Sequence, residues 1–278
     1  PAGIYGAVAR SLPSGGLAMP LVVVPTPIGN MEDVTLRALR ALREADLIAC
    51  EDTRHTRKLL NHYDIHKPLL SYHRHNERFR TVEILERLAE DKIVALVSDA
   101  GTPGISDPGC ILVNEAIDHG FEVDALPGAN APLPALLLSG LDTTAFTFAG
   151  FLTGSEKERR ERLDELSKLA TTLIFYVAPH SLADELDFFA EALGPRRAAL
   201  VREISKVHQE TIRDSLPGLA QLARERTLRG EMVLVIDGCR GRKSPERGDW
   251  EKLATAMKRR GIFTSWRSEE RRVGKECR

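Results

Sequence analysis

Cysteine is scarce in this chain. Cys50, Cys110, Cys239 and Cys277 stand far apart with no CxxC pair, which argues against both a disulfide framework and a zinc module. No apolar run approaches the roughly 20 residues that a membrane-crossing helix requires. Residues 1–18 have no apolar segment of the signal-peptide kind. Neither charge sign dominates: 39 Lys plus Arg stand against 40 Asp plus Glu. That balance excludes a bulk polyelectrolyte coating for nucleic acid and leaves room for a local basic patch. The dinucleotide fingerprint GxGxxG and the P-loop GxxxxGK[ST] are both missing, which disfavours NAD and ATP. What remains is the expectation of a soluble, cytoplasmic protein with no membrane partner.

The most informative stretch is Ser98-Asp99-Ala100-Gly101-Thr102-Pro103-Gly104-Ile105-Ser106-Asp107-Pro108-Gly109. It follows the buried-strand pattern Ile93-Val94-Ala95-Leu96-Val97 and leads into the helical spacing of Ile111, Leu112, Val113, Ala116 and Ile117. A twelve-residue crossing rich in Gly and Pro exceeds the usual βα loop of about two to six residues. In a parallel α/β sheet it lies at the carboxyl ends of the strands, where ligands bind. Asp107 is also expected to cap the following helix, with Pro108 at its first position.

The rest of the first half repeats the pattern. The strand Leu21-Val22-Val23-Val24 ends in the stiff turn Pro25-Thr26-Pro27-Ile28-Gly29-Asn30, and Asp33 and Thr35 are candidate caps for the helix through Leu36, Leu39 and Leu42. Asp46-Leu47-Ile48-Ala49-Cys50 runs into Glu51-Asp52-Thr53-Arg54-His55-Thr56-Arg57-Lys58, which is either an ordinary acidic helix start or a pair of working carboxylates beside cations. A short strand, Leu69-Leu70-Ser71-Tyr72-His73, meets a basic rim from His73 to Arg80. The HxH pair of His73 and His75 lacks further ligands, so no metal is expected. A fifth strand, residues 121–126, ends in Pro127-Gly128-Ala129-Asn130-Ala131, and a helix over residues 133–138 closes the half. Five strand–helix repeats predict an open parallel sheet. Its three Pro/Gly corners together suit a pocket wall of backbone N–H and C=O groups for an adenosyl or nucleotide ligand.

A composition shift over residues 139–154 reads as a linker. The helix from Glu156 then carries four cations and i,i+4 pairs such as Glu158–Arg162. Strands follow at 172–177 and 198–204, with Glu210-Thr211-Ile212-Arg213 as a further candidate. After them come a helix at 217–226 and the strand after Gly230-Glu231-Met232. The expected organisation is a disordered extension over 1–18 with Met19 as start, and an N-terminal α/β domain over 19–140. A C-terminal α/β domain spans 141–240. A tail over 241–278, with a helix near residues 250–258, ends in a stretch that looks like a cloning scar.

The motifs, in this order, resemble those of the tetrapyrrole methylase superfamily and, within it, the ribosomal RNA small subunit methyltransferase I family. They are residues 24–30 (VPTPIGN), 51–56 (EDTRHT), 96–103 (LVSDAGTP), 106–109 (SDPG), 127–128 (PG), 173–176 (LIFY) and 230–234 (GEMVL). The resemblance runs from about Leu21 to Gly238. It implies two α/β domains, mostly parallel in the first sheet and mixed in the second, with S-adenosyl-L-methionine in the cleft between them, and a homodimer. It implies 2′-O-methylation of a cytidine ribose in the decoding region of 16S rRNA in the small ribosomal subunit, and no DNA partner. Carried over, the cofactor-binding residues are Pro27, Gly29, Asp99, Gly101, Thr102, Pro103, Gly104, Ser106, Asp107, Gly128, Ala129, Tyr176, Glu231 and Met232. The family pattern is broken at Val177, Ser181 and Asn130. Methyl transfer to a hydroxyl needs a proton acceptor, and Glu51 and Asp52 are the candidates for base or base-orienting group. Arg54, His55 and Arg57 are candidates for RNA phosphates, with Lys206 reaching from the second domain, and the 2′-hydroxyl distinguishes RNA from DNA. Two other classes fit the same motifs: a methyltransferase acting on a tetrapyrrole or other small molecule, and a non-catalytic ribosome-binding relative.

Overall fold

The computed structural model describes residues 20–239. The expected extension over 1–18 with Met19 as start, and the tail from 241 with its helix near 250–258, lie outside the described residues. Five strands, Leu21–Val23 (β1), Leu47–Cys50 (β2), Leu69–Ser71 (β3), Val94–Val97 (β4) and Val123–Ala125 (β5), form a sheet in the order β3-β2-β4-β1-β5. Every neighbouring pair is parallel. The helices Leu36–Glu44 (α1), Thr53–His62 (α2), Glu77–Ala89 (α3) and Cys110–Asp118 (α4) cover both faces. This double cover explains why β1 and β4 are apolar throughout rather than alternating. Val22, Ile48, Ala95 and Val97 pack with Leu39, Leu42 and Leu60 on one face. Leu21, Val23, Ala49 and Leu96 pack with Ile84, Leu88 and Leu112 on the other.

Two expected caps are corrected. Thr35 does cap α1, accepting the Ala38 N–H at 3.0 Å. Asp33 instead sits in a 3₁₀ turn, Met31–Asp33, where its carboxylate accepts from the Ser205 hydroxyl. Asp107 caps nothing. The turn after it delays α4 to Cys110 with Gly109 at the cap position, φ +139°, and no side chain caps the helix.

A second sheet is mixed. Pro132–Ser139 (α5) comes first, then Phe146–Phe151 (β6), Glu156–Ser167 (α6), Thr172–Val177 (β7), Leu182–Leu193 (α7), Arg197–Arg202 (β8), Glu210–Ser215 (β9), Leu216–Glu225 (α8) and Met232–Ile236 (β10). The strand order is β6-β7-β10-β8-β9, with β6 and β7 parallel and the other pairs antiparallel. On one face Phe175, Leu200 and Leu234 pack with Leu163, Phe189 and Leu219 from α6, α7 and α8. On the other face lies α5: its Ala135 and Leu136 pack on Ile174, Val201, Val233 and Val235. Arg213 of β9 donates to the α5 carbonyls of Ser139, at 3.2 Å, and Leu138. The helix that ends the first run of repeats is thus held by the second sheet.

The stretch read as a linker contains β6. Its signal is weak because the strand breaks alternation at a bulge between Phe148 and Gly150, where Gly150 takes φ +63°. Glu158 and Arg162 do not pair. The Glu158 carboxylate turns back to Ser155 in a capping box, and Arg162 donates to the carbonyls of Phe151, at 3.2 Å, and Ala149. Among the described residues no helix is long and apolar enough to cross a membrane.

Candidate active site

The three Pro/Gly corners form one wall. Neighbouring strands β1 and β4 send their connections to opposite sides of the sheet, so the space beyond their carboxyl ends is open. Across it the Thr26 N–H donates to Gly101 O at 2.9 Å and the Gly101 N–H returns to Thr26 O at 3.0 Å. The Thr26 hydroxyl donates to Ser98 O at 3.2 Å, and the Thr102 hydroxyl reaches Ala129 O at 3.1 Å, which ties in the third corner. Gly101 has φ +79°, a conformation that disfavours side chains. A Cβ on Gly128 would meet the Pro25 ring at 2.7 Å.

This wall bounds a cavity of about 640 Å³ whose opposite side is the end of the second sheet. Of the residues expected at a cofactor, Asp99, Gly101, Thr102, Ser106, Asp107, Tyr176, Glu231 and Met232 line it. Pro27, Gly29, Pro103, Gly104, Gly128 and Ala129 do not; they belong to the corners that carry the lining residues. The apolar lining from Ile28, Ile105, Phe151, Val177 and Ile204 was not singled out as binding residues by the sequence, although Ile28 and Ile105 stand inside its motif stretches. Phe148 and Phe151 set their rings against Tyr176 at 5.1 and 5.2 Å between centroids, an aromatic edge suited to a planar heterocycle.

The two sheets meet closely around this space. The Lys206 stem lies against Gly29, and a Cβ on Gly150 would meet the Ser106 hydroxyl at 2.9 Å. The Lys206 ammonium donates to Glu203 at 3.0 Å and Glu231 at 2.9 Å. Burial pulls its pKa down, but those two carboxylates outweigh it and hold the lysine above its ordinary value. Lys206, expected at an RNA phosphate, thus lines the cavity with its ammonium between two acids.

Three carboxylates, Glu51, Asp99 and Asp107, line the first-sheet side. Burial, then the neighbouring Glu51, pushes Asp107 up to about 6, while Arg74 pulls it back. Glu51 is raised by burial and by Asp99, against Arg74 and His73. Tyr176 is pushed up to about 12 by burial and by Asp107 and Glu231. The Arg74 guanidinium also donates to Ser106 O at 2.9 Å, pinning a residue whose φ is +66°.

Glu51 and Asp52 have different surroundings. Asp52 accepts the Arg54 N–H at 2.8 Å as the cap of α2 and pairs with the Arg54 guanidinium at 2.9 Å, which holds its pKa at about 2. A carboxyl so strongly ionised is a poor base, and Asp52 does not line the cavity. Its backbone N–H does contribute, donating to Asp99 at 3.0 Å. Arg54, His55 and Arg57 lie on the exposed side of α2.

Known proteins resemble this chain in sequence and in fold. Residues 20–220 match the family of Tetrapyrrole (Corrin/Porphyrin) Methylases. The chain is 48% identical over 84% of its length to the Ribosomal RNA small subunit methyltransferase I of Halalkalibacterium halodurans, covering 81% of that protein. It is 46% identical over 85% of its length to the same-named protein of Bacillus subtilis, again covering 81% of it. In three dimensions it resembles the uroporphyrin-III-C-methyltransferase of Thermus thermophilus, with a TM-score of 0.55 at 20% identity, over 79% of this chain and 94% of that one.

Proposed function

Because the chain belongs to the tetrapyrrole methylase family and, within it, to the ribosomal RNA small subunit methyltransferase I family, we propose that it methylates the 2′-oxygen of a cytidine ribose in 16S rRNA of the small ribosomal subunit, with S-adenosyl-L-methionine as donor. One observation carries the reading: three corners, cross-bonded through Thr26–Gly101 and Thr102–Ala129, face a carboxylate-rich cavity. The residues fit the donor. The cavity offers backbone partners, an aromatic edge at Tyr176 and Phe151, and carboxylates that favour a cationic ligand.

When bound, the donor supplies a methyl carbon on a positively charged sulfur that keeps the electron pair of the broken C–S bond. The chain's residues align the acceptor and remove its proton. Alignment dominates in such a displacement, since the reacting atoms must approach in line. The ribose hydroxyl becomes a competent nucleophile as its proton passes to the Glu51 carboxylate, which burial and Asp99 make more basic than an ordinary carboxylate. Asp99, Gly101, Thr102, Tyr176, Glu231 and Met232 hold the donor, and the remaining corner residues keep their backbone in place. Arg54, His55 and Arg57 hold RNA phosphates, and the enzyme acts as a cytoplasmic homodimer. The test is incubation with methyl-labelled donor and assembled small subunits, followed by nuclease mapping. Label in one rRNA fragment is expected; label that stays independent of RNA overturns the reading.

A further inference from the structure

His73 follows β3 beside the strand end that carries Glu51. Cys50 stands opposite Ser71 in register, and the next residue, Tyr72, donates its N–H to Cys50 O at 2.8 Å. The His73 Nδ1 atom is buried and has no hydrogen-bond partner among the described residues. Its protonation follows from Asn76. That amide is oriented by two backbone groups: Oδ1 accepts the His73 N–H at 2.8 Å, and Nδ2 donates to Ser71 O at 3.1 Å. A flipped amide would set N–H against N–H and oxygen against oxygen.

With its NH₂ group so fixed, Asn76 also meets His73 Nε2 at 3.2 Å, and only an unprotonated ring nitrogen accepts there. The neutral imidazole therefore carries its hydrogen on Nδ1. A buried N–H without a partner is rare in native structures and calls for an acceptor. Glu51 stands at the neighbouring strand end, one residue past the Cys50–Ser71 pair, and it lines the cavity whereas His73 does not.

We propose that His73 is a positioning residue: its Nδ1–H holds one oxygen of the Glu51 carboxylate when substrate is bound and leaves the other to receive the ribose proton. The inference rests on the reading of Glu51 as proton acceptor. His73 neither gains nor loses a proton in the step. The charged groups around Glu51 are Asp99 and Asp107, both in the corner after β4, and Arg74 next to His73.

The ring's two nitrogens can be imitated separately. In His73→Asn an amide N–H stands near the place of Nδ1–H, whereas the longer His73→Gln reaches only the position of Nε2. His73→Asn is expected to keep methyl transfer within about fivefold of the unaltered protein. His73→Gln is expected to lose about 100-fold in kcat at unchanged calorimetric affinity for S-adenosyl-L-methionine. The acid limb of its pH profile should move upward, because Glu51 loses a donor that favours its charged form. Nitrogen NMR of the unaltered protein gives a readout independent of variant folding, and should show a protonated Nδ1 and a bare Nε2. The Nε2–H form, or equal turnover in both His73 variants with one pH profile, overturns the proposal. Full turnover in Glu51→Gln removes its premise; impaired Glu51→Gln beside fully active His73→Gln overturns the proposal alone.

Discussion

Thr26 and Gly101, 75 residues apart in the chain, exchange a reciprocal pair of backbone hydrogen bonds at 2.9 and 3.0 Å. The pair joins the exits of β1 and β4 and makes two loops one surface. Because the wall is backbone, its shape depends on how closely the chains approach.

Gly128→Ala tests that approach. The added methyl would run into the Pro25 ring, and a ring cannot swing aside as a flexible side chain would. A loss of about 1–3 kcal/mol is expected by denaturant titration. Affinity for S-adenosyl-L-methionine should fall with it.

Glu51→Gln and Asp52→Ala should separate the two adjacent acids. Glu51→Gln is expected to lower kcat by roughly 10²–10⁴, far more than it weakens donor binding, since it removes a proton acceptor from the cavity. Asp52→Ala removes the α2 cap and the Arg54 pair. It should lower Tm by roughly 2–4 °C and leave turnover within a few-fold. Labelled-methyl transfer and thermal melts on the same preparations decide between them.

Asp107 should make stability depend on pH. Its folded pKa, about 6, lies above the ordinary 3.8. Its contribution is therefore complete below the unfolded value and is lost as pH rises through about 6. Two pKa units correspond to about 3 kcal/mol, which partial exposure reduces to about 1 kcal/mol. Asp107→Asn should thus melt roughly 2–4 °C above the unaltered protein at pH 8, with the gap closing toward pH 4.

Arg57→Ala should weaken binding to small subunits without changing donor affinity. If Arg57 meets one phosphate, the slope of log affinity against log salt should fall by about 0.7–0.9. Titrations at three salt concentrations measure it.

Much of this site was visible in the residues. β1 and β4 read as buried strands because both faces are covered, and the corners declared themselves by Gly and Pro at strand exits. Glu51 was legible as an acid at a strand end. What was not legible depends on how turns and side chains settle in the folded chain. Asp107 looked like a cap until the chain turned once more before α4, leaving its carboxyl in the cavity. Lys206 looked like a free cation because nothing local shows that Glu231, 25 residues on, joins Glu203 in closing on it. β6 was hidden by the bulge at Gly150, and α5 gave no sign that Arg213 would fasten it to the second sheet. Asp52, adjacent to Glu51, differs from it only because Arg54 folds back onto its carboxylate.

The account turns on whether this cavity brings a ribose hydroxyl to a methyl donor. A 2′-O-methyl ribose cannot form the cyclic phosphate through which alkali cleaves RNA, so its 3′ linkage survives. Small-subunit rRNA should be treated with the protein and S-adenosyl-L-methionine, then hydrolysed in alkali and mapped. One new alkali-resistant linkage is expected, 3′ of a cytidine and absent with Glu51→Gln. A hydrolysis ladder identical to that of untreated rRNA would contradict it.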